Sequence, residues 1–571
     1  MRPTPLLMAA LLAWPLYESL PTGRAVAQEA PRTRAGSFRP DDWITFADFR
    51  FVTSVAVATD VAYFGTTMGV ERYDTLRDLW LPPVTAADGL PDGAVTALAI
   101  EPSGSLLWIG TSRGLARFET YAGMVEPAWG PPPTRVADLR IAARDGTVYA
   151  FVAGAWWSGR GGSPVLERST SPPADADGPV PVDAIDPLDL PWTDPLYVRG
   201  TTPAGGIFRL TTTDRDARGD WYVGTWGDNG RRWGAGGASW EALAFGLAGP
   251  GGGPVVRTAG GLWFIPREGP SDAGPQPSAG PASLGGPAPA ALAFAGDDGS
   301  WRYASPQGTP GLPTASVLAA AAVGDTLYLG SEHGLTRLDP RRESGVEAAV
   351  ADGTEPLAVA RTFGSREGVP AGSVTALAAD GPFLWLGTSE GLVLWERAGE
   401  TPAARYLEGT AITAVAIAAD AVFVASESGL YVAERPAGAA GEALSSGTFA
   451  RSGTFGRTVR AVAVRDARLV VATDAGLEVF DRSTGRWRVT QVGGGRLPAE
   501  PLSLAIDAEQ VWIGTSAGLA RWRPATDEWE TYEPADGLAG VPVLHLLAEG
   551  DAVWASTPGG VSRFAWRSSR P

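Results

Sequence analysis

The chain has 571 residues, among them 74 Gly and 48 Pro, with only 19% charged residues and a formal charge of −17. That charge excludes a protein that neutralises nucleic-acid phosphates. The absence of Cys excludes disulfides, thiol catalysis, a lipidated Cys anchor and thiolate metal sites, and one repeat class suffices to fill the length.

Residues 1–27 read as a secretory signal: Arg2 is the positive flank, 6–16 the apolar core, and Ala25-Val26-Ala27 the small-x-small cleavage pattern before Gln28. The apolar run is short for a bilayer span, and no later segment is long and apolar enough to be one. The expectation is an extracytoplasmic protein, secreted or periplasmic, cleaved near Ala27. Residues 28–40 read as a polar linker. Trp43-Ile44-Thr45-Phe46 then looks like an outer strand without a hairpin of its own, while the last hairpin, ending at Phe564, lacks an outer strand. Pairing the two would hide two sheet edges. The alternative is that 565–567 extend their own hairpin.

The strings LLWIGTSRGLARF (106–118), TLYLGSEHGLTRL (326–338), FLWLGTSEGLVLW (383–395) and VWIGTSAGLARW (511–522) are copies of one unit. Looser copies lie at 61–73, 422–432, 469–480 and 553–564. In the copy at 502–532 the pattern predicts four strands, 502–506, 511–515, 519–522 and 528–532, from alternating apolar residues bounded by turns. Gly518 falls where a short hairpin loop needs a left-handed backbone. From Gly391 the hairpin glycines recur at Gly429, Gly476, Gly518 and Gly560, a period of about forty residues that matches a four-stranded propeller blade. Helical solenoids would need a 3.6-residue apolar period, which is absent.

A Gly-Leu loop, an apolar strand and then Trp-Ile-Gly-Thr-x-x-Gly-Leu resembles the two-component regulator propeller repeat. The resemblance covers most of 43–567, best from Leu312 onward and least over 131–304. It implies an extracytoplasmic sensor propeller, usually double, that binds a ligand such as an oligosaccharide and signals through a membrane helix. No membrane helix, kinase core or receiver domain follows the last copy here, so the expectation is a module that works with a partner. The motif residues build blades and speak for fold, not activity.

Across 131–304 the copies degrade. Residues 160–195 read as an irregular insertion, and 268–290, rich in Gly, Pro, Ser and Ala, as the connection between a first propeller region (41–267) and a second (291–567). The fold class expected is all-β, a β-propeller of twelve to fourteen four-stranded blades in two rings of six or seven. If Trp43–Phe46 closes the last blade, one ring holds both chain ends and the other is inserted within it.

Chemistry-bearing constellations are few. His333 and His545 form no metal motif. G-x-S-x-G at 110–114, 387–391 and 514–518 sits between two strands, whereas a nucleophile elbow leads into a helix. Asp380, Asp420, Asp466 and Asp507, at the ends of first strands, read as turn formers rather than calcium ligands. No catalytic, cofactor-binding or metal-ligating residue is assigned. The most distinctive stretch is WGDNGRRW at 226–233, where Asp228, Gly230 and Trp233 resemble the Asp-box hairpin of sialidase-type propellers, itself a folding element. One reading is a decorated hairpin. The other is a candidate surface of Trp226, Asp228, Arg231, Arg232, Trp233 and nearby Trp240 for a sugar or acidic ligand, since aromatic faces stack on sugars and Arg offers paired donors. The function expected is a non-catalytic binding or sensing module or a scaffold, with an oligosaccharide or a protein as partner. A polysaccharide lyase or glycosidase using the propeller funnel is the runner-up.

Overall fold

The computed structural model describes residues 42–566 apart from 161, 186–198, 202–206, 235–239, 268–289, 307–308, 310, 313–315, 341–357, 436–448, 453–457 and 494–495. The expected signal, the linker and nearly all of 268–290 therefore lie outside the described residues.

The chain is an all-β propeller, and the copy at 501–532 shows why its sequence makes a blade. Its four strands are Pro501–Ile506, Val511–Thr515, Leu519–Arg523 and Glu528–Tyr532, paired antiparallel in that order. The first strand alternates buried and half-buried residues, whereas every residue of the second is buried. A strand covered on both faces reads as a continuous apolar run, and one covered on a single face reads as alternation. The hairpin is held by Thr515, whose Oγ1 donates to the Gly518 carbonyl (2.8 Å) and accepts from the Ala517 N–H (3.2 Å). Gly518 itself has φ +155°. The same Thr-to-Gly bond recurs at Thr66, Thr111, Thr388, Thr473 and Thr557.

Neighbouring sheets meet through two further repeated contacts. Where a Gly precedes that Thr, or Ser331 in its place, it has no side chain because the first apolar residue of the next sheet occupies the space. A Cβ on Gly387 would stand 2.6 Å from Ile412, one on Gly110 2.8 Å from Val136, and one on Gly330 2.7 Å from Val374. Beside it, the inner strand bulges by one residue, between Val374 and Ala376 for example. A bulge leaves one residue outside the ladder, and here that residue is Thr375, whose hydroxyl crosses to the Ile412 carbonyl of the next sheet (2.5 Å). Thr53, Thr96 and Thr413 do the same to Val95, Val136 and Val459.

The described residues form eleven antiparallel sheets, nine of them four-stranded. Seven follow one another in a cycle. Their inner strands are Val255–Thr258, Val317–Val323, Val374–Asp380, Ile412–Ala418, Val459–Arg465, Pro501–Ile506 and His545–Glu549, and the last packs back against the first. The sheet that closes this cycle takes its fourth strand from the start of the chain: Trp43–Phe46 pairs with Gly560–Phe564, Trp43 opposite Phe564, the two rings stacked 4.4 Å apart. The other four sheets form a smaller cycle with inner strands Val52–Val57, Val95–Ile100, Val136–Ala142 and Ile207–Arg215, the last returning onto the first. Between its third and fourth sheets the cycle is bridged by residues 176–181. Ala176–Asp177 adds to the inner edge of Val136–Ala142, and Val180–Pro181 to the inner edge of Ile207–Arg215.

Two expectations are corrected in detail. The larger cycle has the expected count, seven sheets, but among the described residues the smaller has four rather than six or seven, because the irregular stretch folds into one five-stranded and one six-stranded sheet instead of extra blades. The stretch 268–290 is not a break between units: Gly261–Phe264, before it, pairs with Leu292–Gly296, after it, in one sheet. Of the 160–195 insertion, the described part supplies edge strands, Glu167–Ser169 outside and the two short inner ones. Among the described residues no helix is long and apolar enough to cross a membrane.

The glycine contact is testable. Gly387→Ala must push a methyl against Ile412 and Ala376 and is expected to lower stability by about 1–3 kcal/mol, the usual cost of overpacking. Gly93→Ala, where the nearest atoms would lie at an ordinary 3.6 Å, should stay within about 0.5 kcal/mol of the parent. Urea midpoints of the two variants measure this, and equal midpoints would remove the steric account of the motif.

Candidate binding site

The 226–233 hairpin joins Trp221–Trp226 to Gly230–Trp233, and Trp240–Leu243 completes the sheet. Asn229 takes the left-handed turn position (φ +55°), which Asn tolerates better than most residues. The Asp228 carboxylate is taken by the Arg231 guanidinium, both side chains being mostly buried. Burial pushes the Asp228 carboxyl up despite Arg231 and, more weakly, Arg50. Strand alternation then separates the two arginines: Arg231 and Trp233 share one face and Arg232 lies on the other. Arg232 pairs with Glu241 (2.9 Å) and Asp78 (3.2 Å) and lies over the Tyr73 ring. Trp226 packs edge-on against Phe51 at 5.2 Å. Trp233 and Trp240, directly opposite in register, meet edge-to-face at 5.2 Å. The six expected site residues thus fall into four environments. The structure adds one that the sequence reading passed over, Trp221, opposite Trp233, with the Arg215 guanidinium over its ring.

The hairpin also reaches a polar joint between the two cycles. The Asn229 amide donates to Glu71 (3.1 Å), in the smaller cycle, and to the Phe245 carbonyl (2.9 Å) in the returning connection. The Tyr303 hydroxyl, from the larger cycle, meets the same carbonyl (2.8 Å) and the Asn229 side-chain oxygen (3.0 Å). Arg50, on the outgoing connection, holds Asp48 through two nitrogens (2.8 and 2.7 Å), and its carbonyl accepts from Gly227 (2.8 Å) and Asn229 (3.2 Å). Glu71 is fully buried, and its second oxygen finds no hydrogen-bond partner among the described residues. Burial pushes its carboxyl well up, against the Asn229 bond and with Asp48 adding. Phe49 and Trp80 stack on Phe245, and Trp301 meets it edge-on, beside this network.

A concavity lies on the axis of the smaller cycle, where the four inner strands end: a cavity of about 500 Å³. Val57, Ile100 and Ile141 form apolar wall, and the 177–180 bridge with Asp177 and Val180 forms the remaining side. Asp214 lines it too. Its carboxylate accepts from the Val57 N–H (2.7 Å) of the adjoining sheet and from the Arg215 N–H (2.8 Å). Burial pushes this carboxyl up against those two bonds, with Asp177 adding. Asp216 is spent on Arg218 and on the Arg218 and Asp220 N–H groups.

On the other axis His545 occupies the start of an inner strand, and burial, with Arg267 adding, pushes its imidazolium down to about 4. His333 is an exposed hairpin residue. Of the Asp residues that end first strands, Asp380 pairs with buried Arg435 and accepts from Trp385 (3.0 Å), Asp420 holds Arg482 (2.6 Å), and Asp507 caps its own turn. Among the described residues no three metal-ligating side chains converge.

No protein-family model matches the chain, and no curated protein does. Solved structures that are similar include PorZ, a surface component of the type-IX secretion system of Porphyromonas gingivalis, at 12% identity and a TM-score of 0.45, covering 92% of this chain and 87% of that one. An extracellular domain assigned to a hybrid two component system of B. thetaiotaomicron is similar at 12% identity and a TM-score of 0.37, covering 90% and 74%. A computationally designed protein, Ika8, follows at 14% identity and a TM-score of 0.38, covering 64% and 95%. None of these likenesses transfers a function to this chain.

Two outcomes test the electrostatics. A carboxyl whose folded pKa is raised contributes stability that is full below its unfolded value, about 4.3, and is lost as pH rises through the folded value. Glu71→Gln suffers no such loss, so its melting temperature should gain on the parent from about pH 4 to pH 8; a constant difference would place Glu71 outside the buried network. Arg231→Ala leaves Asp228 without its partner and should cost a few kcal/mol, below the roughly 3–5 kcal/mol of a fully buried pair. Adding Asp228→Asn should recover much of that loss, as a double-mutant cycle on denaturation midpoints would show.

Proposed function

We propose that this protein is an extracytoplasmic β-propeller of the two-component regulator propeller kind that binds a small ligand in the axial cavity of its smaller cycle. The observation that carries this reading is the cavity itself: a concave space of about 500 Å³, within the usual size of ligand pockets, with unlike walls from four sheets. The segment at 1–27 supports export, and the Trp-x-Gly-Thr-x-x-Gly-Leu copies support the repeat class.

Binding is favoured over turnover by the state of Asp214. Both of its oxygens are engaged by backbone N–H groups, which suits a fixed carboxylate better than one that must release and recapture a proton at a glycosidic bond. The aromatic row of Trp221, Trp233 and Trp240, half-buried against Val182 and Leu210, supports a second surface, for a sugar ring.

A thermal-shift screen of the purified protein against oligosaccharides, peptidoglycan fragments, nucleotides and small amines tests the reading. A ligand at a hundred times its dissociation constant should add about 2.7 kcal/mol. The shift should vanish in Val180→Trp, which fills the mouth from a two-residue edge strand, and the recovered ligand should be chemically unchanged. A flat screen would overturn small-ligand binding, and product formation would install the lyase or glycosidase reading.

A further inference from the structure

The cavity has a chemical bias that narrows its ligand, on the premise that it is a binding site. Its wall groups Val57, Ile100, Ile141 and Val180 offer an apolar body a surface. Among the described residues that line it, Glu101, Asp177, Asp214 and Asp216 are acidic and Arg215 is cationic, so the balance is negative. Asp177 and Asp214 both line the space and repel one another. Arg215, which lines the space too, lies over the Trp221 ring at 5.5 Å, and its charge is the weakest of the influences that hold the Asp214 carboxyl down. The two N–H bonds to Asp214, together with the Arg215 charge, do not offset its burial. A carboxylate held in that condition gains most from a positive charge brought into the same low-dielectric space.

A bare metal ion does not fit. Three converging ligands are absent among the described residues, apolar walls coordinate nothing, and about 500 Å³ is many times the volume of one water, about 30 Å³. An anion would face two carboxylates.

From this we infer that the axial cavity of the smaller cycle takes a small organic cation, an ammonium group on an apolar body, with the ammonium between Asp214 and Asp177 and the body against Val57, Ile100 and Val180.

The test uses three probes of one shape and three charges: phenethylamine, phenethyl alcohol and phenylacetate, titrated into the full chain by calorimetry. The amine should bind, the alcohol at least tenfold more weakly, and the acetate more weakly still. Asp177→Asn, at an exposed carboxylate, should weaken the amine several-fold and leave the alcohol unchanged. Asp214→Asn should weaken the amine at least tenfold; if it does not fold, Asp177→Asn and the probe series still decide. Equal or tighter binding of the alcohol or the acetate overturns the inference. So does an amine affinity that neither variant changes. If a neutral or anionic ligand from the broad screen binds in a Val180→Trp-sensitive manner while the amine does not, the cation assignment falls and the binding module stands. If no probe and no screened ligand binds, both fall.

Discussion

The arrangement depends on how closely one sheet can approach the next near an axis. At Gly65, Gly110, Gly224, Gly330 and Gly387 the second strand carries no side chain, and the first apolar residue of the following inner strand fills that space. Interiors pack at crystal density, so a single methyl at such a point cannot be absorbed without moving a strand. The bulged Thr beside this contact supplies the directional part, one hydroxyl bond to the next sheet's backbone, while the second Thr fixes the hairpin that aims the third strand. The motif Gly-Thr-x-x-Gly is therefore a device for stacking sheets side by side around an axis. Its recurrence says how the chain closes and nothing about what it binds.

The same physics explains what was legible in the sequence. Wherever the motif is intact, strand positions could be read almost to the residue, because a doubly covered second strand and a singly covered first strand leave different patterns. The origin of the closing strand was legible for another reason: Trp43-Ile44-Thr45-Phe46 had no hairpin, and the hairpin ending at Phe564 had no outer strand. Between 131 and 304 the local code gives out. Val255–Thr258 and Gly261–Phe264 look like the end of one unit, yet their sheet is completed by Leu292–Gly296 beyond a Gly- and Pro-rich stretch. Ala176–Asp177 and Val180–Pro181 have two residues each, too few for any periodicity to show.

The site was less legible than the fold. Six residues close together in sequence were expected to share a surface, but a strand alternates its faces, and Arg231 and Arg232 cannot act side by side. The cavity was invisible because its groups come from four sheets; Asp214 and its partner Val57 are 157 positions apart. The joint between the cycles has the same character. Phe49 and Phe245 belong to two crossings of the chain, and Asn229 links Glu71 to Tyr303 only once both crossings are packed. Such a network is only partly satisfied, since the second oxygen of Glu71 has no hydrogen-bond partner among the described residues, and a buried polar group in that state is costly.

A regular propeller presents nearly the same residue to its axis from every blade, so its funnel is close to symmetric and discriminates poorly. In the larger cycle the inner strands are rich in Ala and Val, as in VLAAAAV at Val317–Val323 and VRAVAVR at Val459–Arg465. The smaller cycle breaks that monotony. Four sheets leave a gap on one side, the 176–181 bridge enters it, and the bridge brings Asp177 and Val180 to an axis where a repeat would have placed another copy of itself. Specificity needs unlike groups converging on one point, and here they converge where the repeat fails. The segment that looked least like the rest of the chain is, for that reason, the one that shapes its most individual surface.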